Sequence, residues 1–325
     1  MLHLTDLQKQ LCDILQQDLP LCSDPFAEIA QRLNTSAETV ISQTNHLLKT
    51  GLIRRIGPVI NQRSLGRTTT LVAAHIEAEI LDEVIDTVNQ LPGVTHNYLR
   101  GHHYNLWFTL TCVNMQKVRQ ILKNLASRFQ TTFHNLPAGR IFKLNVTFNT
   151  DSRQRTPSQT APKLPLTKTA RLTKNEKTIL EKLPYNIAIS ASPFALLSDT
   201  TFSEQKILTV LNQLKQKGVI RRIAAILDHR RLGFTANVLL VCSIDKQELV
   251  KTAAELACLP TVTHCYERET FPGWPYNLYA MMHDKNISQI RRRIRDFCRT
   301  ENITSFQLLP TIAELKKQPV KYQSF

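Results

Sequence analysis

The chain of 325 residues lacks several features that would assign it to a common class. Its seven cysteines form no C-x-x-C pair, which argues against a structural zinc site and a disulfide framework. No stretch approaches the roughly 18 apolar residues of a membrane span. The residues after Met1 show no basic segment followed by an apolar run, so we expect no signal peptide. These absences predict a cytoplasmic protein.

Acidic residues are scarce: 26 Asp and Glu stand against 41 Lys and Arg, for a net charge of +15. Such an excess favours a polyanionic partner. Nucleic acid is one such partner, and a small molecule carrying many carboxylates is another. Apolar residues make up 42% of the chain, so it can bury the cores of several domains.

The sequence contains an internal repeat. Residues 51–66 recur as residues 218–233, and the second copy carries extra residues within 269–275. The pairs matched across the repeat include Arg54 with Arg221, Arg55 with Arg222, His96 with His264, Tyr98 with Tyr266, Arg100 with Arg268, Tyr104 with Tyr276 and Asn105 with Asn277. We therefore interpret the chain as two copies of one module fused head to tail.

Each copy shows the pattern of a helix-turn-helix followed by β-α-β-β-α-β elements. Residues 53–61 are predicted to form wing strands, and residues 142–148 a last strand. The predicted fold class is α+β, a tandem repeat of a winged helix-turn-helix plus a ferredoxin-like domain. The predicted domains are a first winged helix-turn-helix over 1–66, a first ferredoxin-like domain over 67–150, a linker over 151–172, a second winged helix-turn-helix over 173–233 and a second ferredoxin-like domain over 234–325.

This domain order resembles the AsnC/Lrp regulators, and Asp24–Ala30 and Gly51–Arg54 are similar to that family. Residues 96–108 and 264–279 instead resemble the two subunit types of siroheme decarboxylase, with Pro272–Leu278 the most specific stretch. The resemblance implies removal of the carboxyl groups of the C12 and C18 acetates of siroheme. The product would be didecarboxysiroheme, in haem d1 or alternative haem biosynthesis. It also implies that the two ferredoxin-like sheets pair as an internal pseudo-dimer.

Enclosing a polycarboxylate requires cations, and arginine can hold a carboxylate with two hydrogen bonds. Decarboxylation also requires a proton donor, and a histidine near its ordinary pKa of about 6.5 is suited to this. The predicted catalytic residues are therefore His96 with Arg100 and His264 with Arg268. The predicted substrate-binding residues are Arg54, Arg55, Tyr98, His102, His103, Tyr104, Asn105, Arg221, Arg222, Tyr266, Trp274, Tyr276 and Asn277.

The macrocycle can take up developing negative charge, so we expect no cofactor beyond the iron tetrapyrrole and no metal of the protein's own. An axial contact from His96 or His264 to the substrate iron stays an alternative role. For Tyr98 and Tyr266, the alternative to substrate contact is that they are ordinary strand residues. Trp107 is predicted to be core, whereas Trp274, within a Pro-Gly-Trp-Pro loop, is less easily explained as core.

Two other functions stay open: a DNA-binding regulator, and a haem-responsive sensor that binds pigment without turnover. The wing arginines could then contact the DNA backbone. However, the predicted recognition helix, Ala37–Lys49, carries one Lys and no Arg, which disfavours a DNA reader without excluding it. Other haem d1 biosynthesis proteins and further copies of this chain stay open as partners, and no membrane partner is expected.

Overall fold

The computed structural model describes residues 4–144 and 169–318. The helices in these ranges are α1 (Asp6–Gln17), α2 (Pro25–Arg32), α3 (Ala37–Lys49), α4 (Leu81–Gln90), α5 (Met115–Phe129), α6 (Lys174–Lys182), α7 (Glu204–Gln216), α8 (Leu249–Cys258) and α9 (Ile287–Thr300). The strands are β1 (Ile53–Ile60), β2 (Thr68–Ala74), β3 (Val94–Arg100), β4 (Leu106–Cys112), β5 (Phe133–Leu144), β6 (Ile220–Leu227), β7 (Ala236–Cys242), β8 (Val262–Arg268), β9 (Leu278–Asp284) and β10 (Phe306–Lys317). Predicted linker residues 151–168 lie outside the described residues.

The chain folds as two compact units, and each unit takes one part from each copy. Among the described residues, the first unit consists of 4–65 and 169–233, and the second of 66–144 and 234–318. The helix-turn-helix segments thus share the first unit, and the ferredoxin-like segments share the second. The finer division into four domains and a linker stays a prediction.

The first copy forms the three helices that its sequence predicts. Thr5 and Gln8 make a reciprocal capping box at the start of α1, and the Ser36 side chain caps α3. Pro25 occupies the first turn of α2, where its missing N–H costs no hydrogen bond. Gly51 follows α3 with a φ of 71°, a left-handed conformation that glycine adopts without strain.

The second copy differs from the prediction because it lacks a counterpart of α2 among the described residues. A short 3₁₀ turn, Ala195–Leu197, stands at that place. The Asp199 side chain accepts hydrogen bonds from the N–H groups of Thr201 and Phe202, both at 2.8 Å, and this local turn competes with helix formation. Phe194 is nevertheless fully buried, as Phe26 is in the first copy, so the core is retained without the helix.

The predicted wing also differs, because each copy supplies one strand and the pairing is between copies. β1 pairs antiparallel with β6, and Gly57 lies opposite Ala224. Each strand is followed by a turn rather than by a returning strand of its own copy. The two strands therefore satisfy their backbone hydrogen bonds with each other.

The second unit is a closed barrel of eight strands. Each copy gives four strands in ferredoxin-like order, β5-β2-β4-β3 and β10-β7-β9-β8. β5 begins earlier than predicted because its first half pairs with β2 and its second half with β8 of the other copy. β10 likewise pairs first with β7 and then with β3. Predicted strand residues 145–148 lie outside the described residues.

Side chains alternate between the two faces of this barrel. The outer faces pack under α4 and α5 in the first copy and under α8 and α9 in the second. The inner faces form a separate apolar cluster drawn from both copies, consisting of Ala73, Trp107, Leu136, Leu239, Val241, Trp274, Tyr276, Tyr279 and Leu309. Trp107 is thus core, as predicted. Within the described ranges, no helix combines the length and apolarity needed to cross a membrane.

Candidate functional site

The predicted catalytic residues of the first copy share the inner face of the barrel. On the neighbouring strand β4, Tyr98 lies opposite Trp107, and His96 lies opposite Thr109. Residues directly opposite each other point to the same face, and Trp107 belongs to the inner cluster. We call His96, Tyr98 and Arg100 the first triplet.

The second copy places its counterparts in the same way. Tyr266 lies opposite the inner residue Tyr279, and His264 lies opposite Met281. We call His264, Tyr266 and Arg268 the second triplet. The repeat in the sequence therefore corresponds to a repeated site inside one barrel.

In each triplet the imidazole lies next to the phenol ring, and the phenol ring lies next to the guanidinium. The ring centroids of His96 and Tyr98 are 6.3 Å apart, and those of His264 and Tyr266 are 6.0 Å apart. The Cζ atom of Arg100 lies 5.3 Å from the Tyr98 centroid, and that of Arg268 lies 5.0 Å from the Tyr266 centroid. These are cation–π distances.

A β-bulge precedes each histidine. The pairing with the neighbouring strand shifts between Val94 and His96, and again between Val262 and His264. The bulged residues, Thr95 and Thr263, place their hydroxyls 2.9 and 3.0 Å from Nδ1 of the following histidine. Bulges re-aim side chains near functional sites, and here they bring a hydroxyl against each imidazole.

Arg100 is a buried cation whose guanidinium is only partly hydrogen-bonded within the described residues. Its Nη1 donates to the carbonyl oxygen of Leu309 and to Thr311 Oγ1, both at 3.0 Å. Its Nε is buried, and no partner for that atom lies among the described residues. Burial lowers the pKa of Arg100 to about 10, which still leaves the guanidinium charged at neutral pH. A buried cation with an unsatisfied donor is suited to receive a carboxylate of a ligand.

The surroundings of the two triplets differ. On β10, Lys317 lies opposite His96 and Glu314 opposite Tyr98, and these two side chains form an ion pair at 3.6 Å. On β5, the apolar Leu144 lies opposite His264, and Ile141 lies opposite Tyr266. Arg268 donates from Nη1 to the carbonyl oxygen of Leu136 at 2.6 Å. The two triplets therefore contain the same residue types but have different neighbours.

The predicted residues of the loop after β3 form an aromatic cluster with the loop after β8. The Trp274 ring meets His102 and Tyr104 edge-on, with centroids 5.3 Å away in each case. His134 stacks on Phe271 at 3.7 Å. Burial lowers the pKa of both His102 and His134. His103 stacks on His75 at 4.1 Å.

Several predicted substrate contacts have structural partners in this region. Asn105 exchanges two hydrogen bonds with the backbone of Ile76, and Asn277 does the same with Ile244, so both clamp their loops to a strand end. Trp274 is 2% exposed and donates from Nε1 to the Tyr279 hydroxyl at 2.6 Å, so it is core, contrary to the expectation from its loop. Tyr276 is also buried. Substrate contact by these residues stays a prediction.

The four wing arginines belong to the first unit. Arg54 forms an ion pair with Asp228 at 2.9 Å, and Arg221 donates to Asn61 Oδ1 at 3.2 Å. Arg55 lies over the Tyr185 ring at 4.6 Å. Burial lowers the pKa of Arg222, against the opposing effect of Asp18. These contacts explain the conformations of the arginines, and their part in substrate binding stays a prediction.

Two open cavities among the described residues lie away from the triplets. One, of about 510 Å³, is lined by Ser288, Arg291, Arg295, Phe306 and Leu308. Another of about the same volume is lined by Leu65, Ala170, Arg171, Leu172 and Lys177. Neither includes a residue of a triplet. The triplets instead border the inner apolar cluster, since Tyr98 lies opposite Trp107 and Tyr266 lies opposite Tyr279.

Sequence reasoning missed the residues that hold the triplets. Thr95 and Thr263 were detectable, because each directly precedes its histidine in both copies. His134 and Thr311 gave no such signal, since the residues at the matching places of the other copy are of different types. Their proximity to the site follows only from the way β5 and β10 cross between the copies.

Comparison with known proteins agrees with this architecture. The family model described as AsnC-like ligand binding domain matches residues 64–143 and again 231–316. The model described as siroheme decarboxylase NirDL-like HTH domain matches residues 8–54.

Individual relatives extend the match to nearly the whole chain. The siroheme decarboxylase of Hydrogenobacter thermophilus is 31% identical over 318 residues, covering 97% of this chain and 94% of that protein. A siroheme decarboxylase alpha subunit of Desulfovibrio desulfuricans is 38% identical over 146 residues, covering 45% of this chain and 84% of that subunit. The crystal structure of the siroheme decarboxylase NirDL in co-complex with an iron-uroporphyrin III analogue matches with a TM-score of 0.74 and 28% identity, covering 98% of this chain and 94% of that chain.

By fold, this is a pseudo-dimeric protein with an N-terminal helix-turn-helix and two AsnC-like ligand-binding domains joined in one barrel. The barrel carries two inward-facing histidine–arginine triplets. The chain belongs to the siroheme decarboxylase family.

Proposed function

We propose that the chain decarboxylates siroheme, converting its C12 and C18 acetates to methyl groups and giving didecarboxysiroheme. The observation that carries the proposal is the pair of His–Tyr–Arg triplets inside the barrel of a chain that is similar along 97% of its length to a siroheme decarboxylase. The net charge of +15 suits a substrate with many carboxylates.

Arginine positions the reacting acetate. The unsatisfied Nε–H of Arg100 can donate to a carboxylate oxygen, and the buried setting strengthens that interaction. Because Trp107 and Trp274 are buried in the inner cluster, we place the macrocycle over the half-buried ends of the triplets, at His96 or His264. One acetate then extends along the tyrosine toward the arginine.

The histidine supplies the proton. The bond between the acetate methylene and the carboxylate carbon breaks, its electron pair stays on the methylene and spreads into the macrocycle, and carbon dioxide leaves. Transfer of one proton from the imidazolium to the methylene completes a methyl group, and the neutral imidazole regains a proton from solvent. The substrate macrocycle accepts the charge, so the proposal requires no additional cofactor. Axial contact of a histidine with the substrate iron is the alternative role for the same residue.

Each triplet contains the histidine and the arginine needed to decarboxylate one acetate. Because the surroundings of the two triplets differ, we expect the two triplets to react at different rates. We place the reaction in the cytoplasm, in haem d1 or alternative haem biosynthesis. The proteins that make siroheme or use the product are then the natural partners.

Anaerobic incubation of the purified chain with siroheme, followed by mass spectrometry of the pigment, tests the proposal. Loss of two carboxyl groups as carbon dioxide is expected. Tight binding with no change of mass would instead support a haem-responsive sensor. Specific, salt-dependent binding of a DNA site without any pigment turnover would support a regulator.

A further inference from the structure

A continuous hydrogen-bond chain links the arginine of the first triplet to the histidine of the second. Arg100 Nη1 donates to Thr311 Oγ1 at 3.0 Å, and Thr311 Oγ1 donates to Asn237 Oδ1 at 2.9 Å. The other amide atom, Asn237 Nδ2, lies 3.3 Å from His283 Nε2. These steps cross from β3 to β10, then to β7 and β9, which are successive neighbours in the barrel.

The remaining steps end at the catalytic imidazole. His283 Nδ1 lies 3.2 Å from Thr263 Oγ1, and the same oxygen lies 3.0 Å from His264 Nδ1. Thr263 Oγ1 also donates to the carbonyl oxygen of Met281 at 3.2 Å. The threonine hydroxyl is therefore the junction between His283, His264 and the backbone of β9.

The direction of this chain is fixed by what each group can donate. A guanidinium only donates, so the Thr311 hydroxyl accepts from Arg100 and gives its own hydrogen to Asn237 Oδ1. The amide NH₂ of Asn237 then faces His283 Nε2, which must accept, and the His283 proton sits on Nδ1.

The same reasoning sets the tautomer of the catalytic histidine. Thr263 has one hydroxyl hydrogen, and its hydrogen bond to the Met281 carbonyl oxygen uses it. The two lone pairs of Thr263 Oγ1 are left to accept from Nδ1–H of His283 and Nδ1–H of His264. Neutral His264 thus carries its hydrogen on Nδ1, and Nε2 is the nitrogen that gains and gives the reacting proton.

The positions of this chain hold other residue types on the side of His96. Ala138 lies opposite Arg268, where Thr311 lies opposite Arg100, and a methyl group cannot continue a hydrogen-bond chain. The strand pair Asn237–His283 is matched in the first copy by Thr69–Thr111. Thr95 Oγ1 lies 2.7 Å from Thr109 Oγ1, and either hydroxyl can be the donor.

We propose that Thr311, Asn237, His283 and Thr263 are positioning residues that hold His264 as its Nδ1–H tautomer and couple the second triplet to Arg100 of the first. The catalytic meaning of this inference rests on the proposed function, whereas the tautomer itself is a property of the protein alone. The first copy has other residue types at the matching positions, with Ala138 in place of Thr311, Thr69 in place of Asn237 and Thr111 in place of His283.

Nitrogen-15 NMR of the full chain labelled at histidine tests the inference without pigment, at about pH 8, where unperturbed histidine is neutral. Comparison with His264→Gln identifies the His264 signals. We expect the shifts of a protonated Nδ1 and an unprotonated Nε2. A neutral His264 protonated on Nε2 would overturn the inference. This measurement leaves Thr263, Asn237, His283 and Thr311 unchanged.

Variants of the junction sharpen the test. Thr263→Val should shift His264 toward the Nε2–H form, and Thr263→Ser should restore the Nδ1–H form. Asn237→Leu should release His283 from its single tautomer. The matched control is Thr69→Val, at the position that corresponds to Asn237 in the first copy, and it should leave the His264 and His283 signals unchanged. Unchanged His264 signals in Thr263→Val would contradict the proposal.

Turnover separates this inference from the proposed function. If the chain decarboxylates siroheme, Thr263→Val should lower kcat by roughly tenfold or more, and Thr263→Ser should recover it. The predicted tautomer in a protein that leaves siroheme unchanged would refute the decarboxylase proposal and support the positioning role. Turnover by a protein whose His264 is protonated on Nε2 would support the decarboxylase proposal and refute the positioning role.

Discussion

Arg100 reaches from the first copy into the second, where its Nη1 lies 3.0 Å from the carbonyl oxygen of Leu309. The matching arginine, Arg268, reaches back, with Nη1 2.6 Å from the carbonyl oxygen of Leu136. Each copy therefore supplies a hydrogen-bond acceptor for the arginine of the other, and a copy folded alone would leave its arginine without that acceptor. Fusion of the copies makes this pairing intramolecular, at high effective concentration.

Replacing Arg100 by lysine should weaken siroheme binding and slow turnover. A lysine ammonium lacks the planar fork that reaches Leu309, Thr311 and a ligand carboxylate together. Leaving the buried acceptors without partners should also cost about 1–3 kcal/mol of unfolding free energy. Pigment titration and urea unfolding measure the two effects. Arg292→Lys, at an exposed position on α9, is the control, and equal affinities of the two variants would contradict the role of Arg100.

His96→Ala and His264→Ala should each slow turnover more than they weaken pigment binding, because the imidazole acts on the proton rather than on the resting carboxylates. A general acid typically contributes about 10²–10⁴-fold to a rate. Stopped-time assays with siroheme give kcat, and absorbance titration gives the affinity. The exposed His46→Ala is the control. Wild-type rates in both triplet variants would remove the catalytic assignment.

Trp274→Ala should destabilise the protein in the absence of any pigment. The ring is 2% exposed and packs in the inner cluster, so its removal should cost about 3–5 kcal/mol. Trp274→Phe, which loses mainly the hydrogen bond to the Tyr279 hydroxyl, should cost about 0.5–1.5 kcal/mol. Urea unfolding measures both, with Ile312→Ala, at a 64% exposed position, as control. Unfolding free energies equal to that of wild type would show that Trp274 is not core.

Acidification should destabilise the barrel unit through two half-buried imidazoles, those of His102 and His134. Burial lowers the folded-state pKa of His102 and His134 below the ordinary value of about 6.5. The unfolded chain therefore binds these protons at higher pH than the folded protein does. The stability that depends on neutral rings is present above about pH 6.5 and declines as the pH falls from there through the lowered folded-state pKa.

Melting temperatures measured from about pH 8 to pH 5 test this dependence. His134→Phe keeps a ring to stack on Phe271 but cannot titrate, so its melting temperature should fall less steeply with pH than that of wild type. The exposed His46→Ala should keep the wild-type slope. A slope unchanged by His134→Phe would argue against the burial of that imidazole.

The local elements could be predicted because their signals lie within short stretches of sequence. The sequence predicts α3, Ala37–Lys49, over the range observed. Asp199 shows the limit of this reasoning, since its side chain forms a turn that begins at the position matching the end of α2. The prediction of the wing was wrong for another reason. The partner of β1 is β6, more than 150 residues away, and a local sequence pattern does not indicate such a distant pairing.

The site divides in the same manner. His96, Tyr98 and Arg100 were found because their matches recur in the second copy. That they face inward, and that Arg100 meets Thr311, depends on how β10 crosses from β7 to β3. The loop of Trp274 is rich in proline and glycine and gave no signal of burial, yet its ring packs against Tyr104 and Trp107.

A single-turnover reaction with siroheme under anaerobic conditions, run side by side with the wild-type chain and the double variant His96→Ala/His264→Ala, tests the account most directly. Mass spectrometry of the recovered pigment should show didecarboxysiroheme from the wild type, and intact siroheme from a variant that still binds it. Conversion of siroheme by the double variant at the wild-type rate, or no conversion by the wild type, would contradict the account.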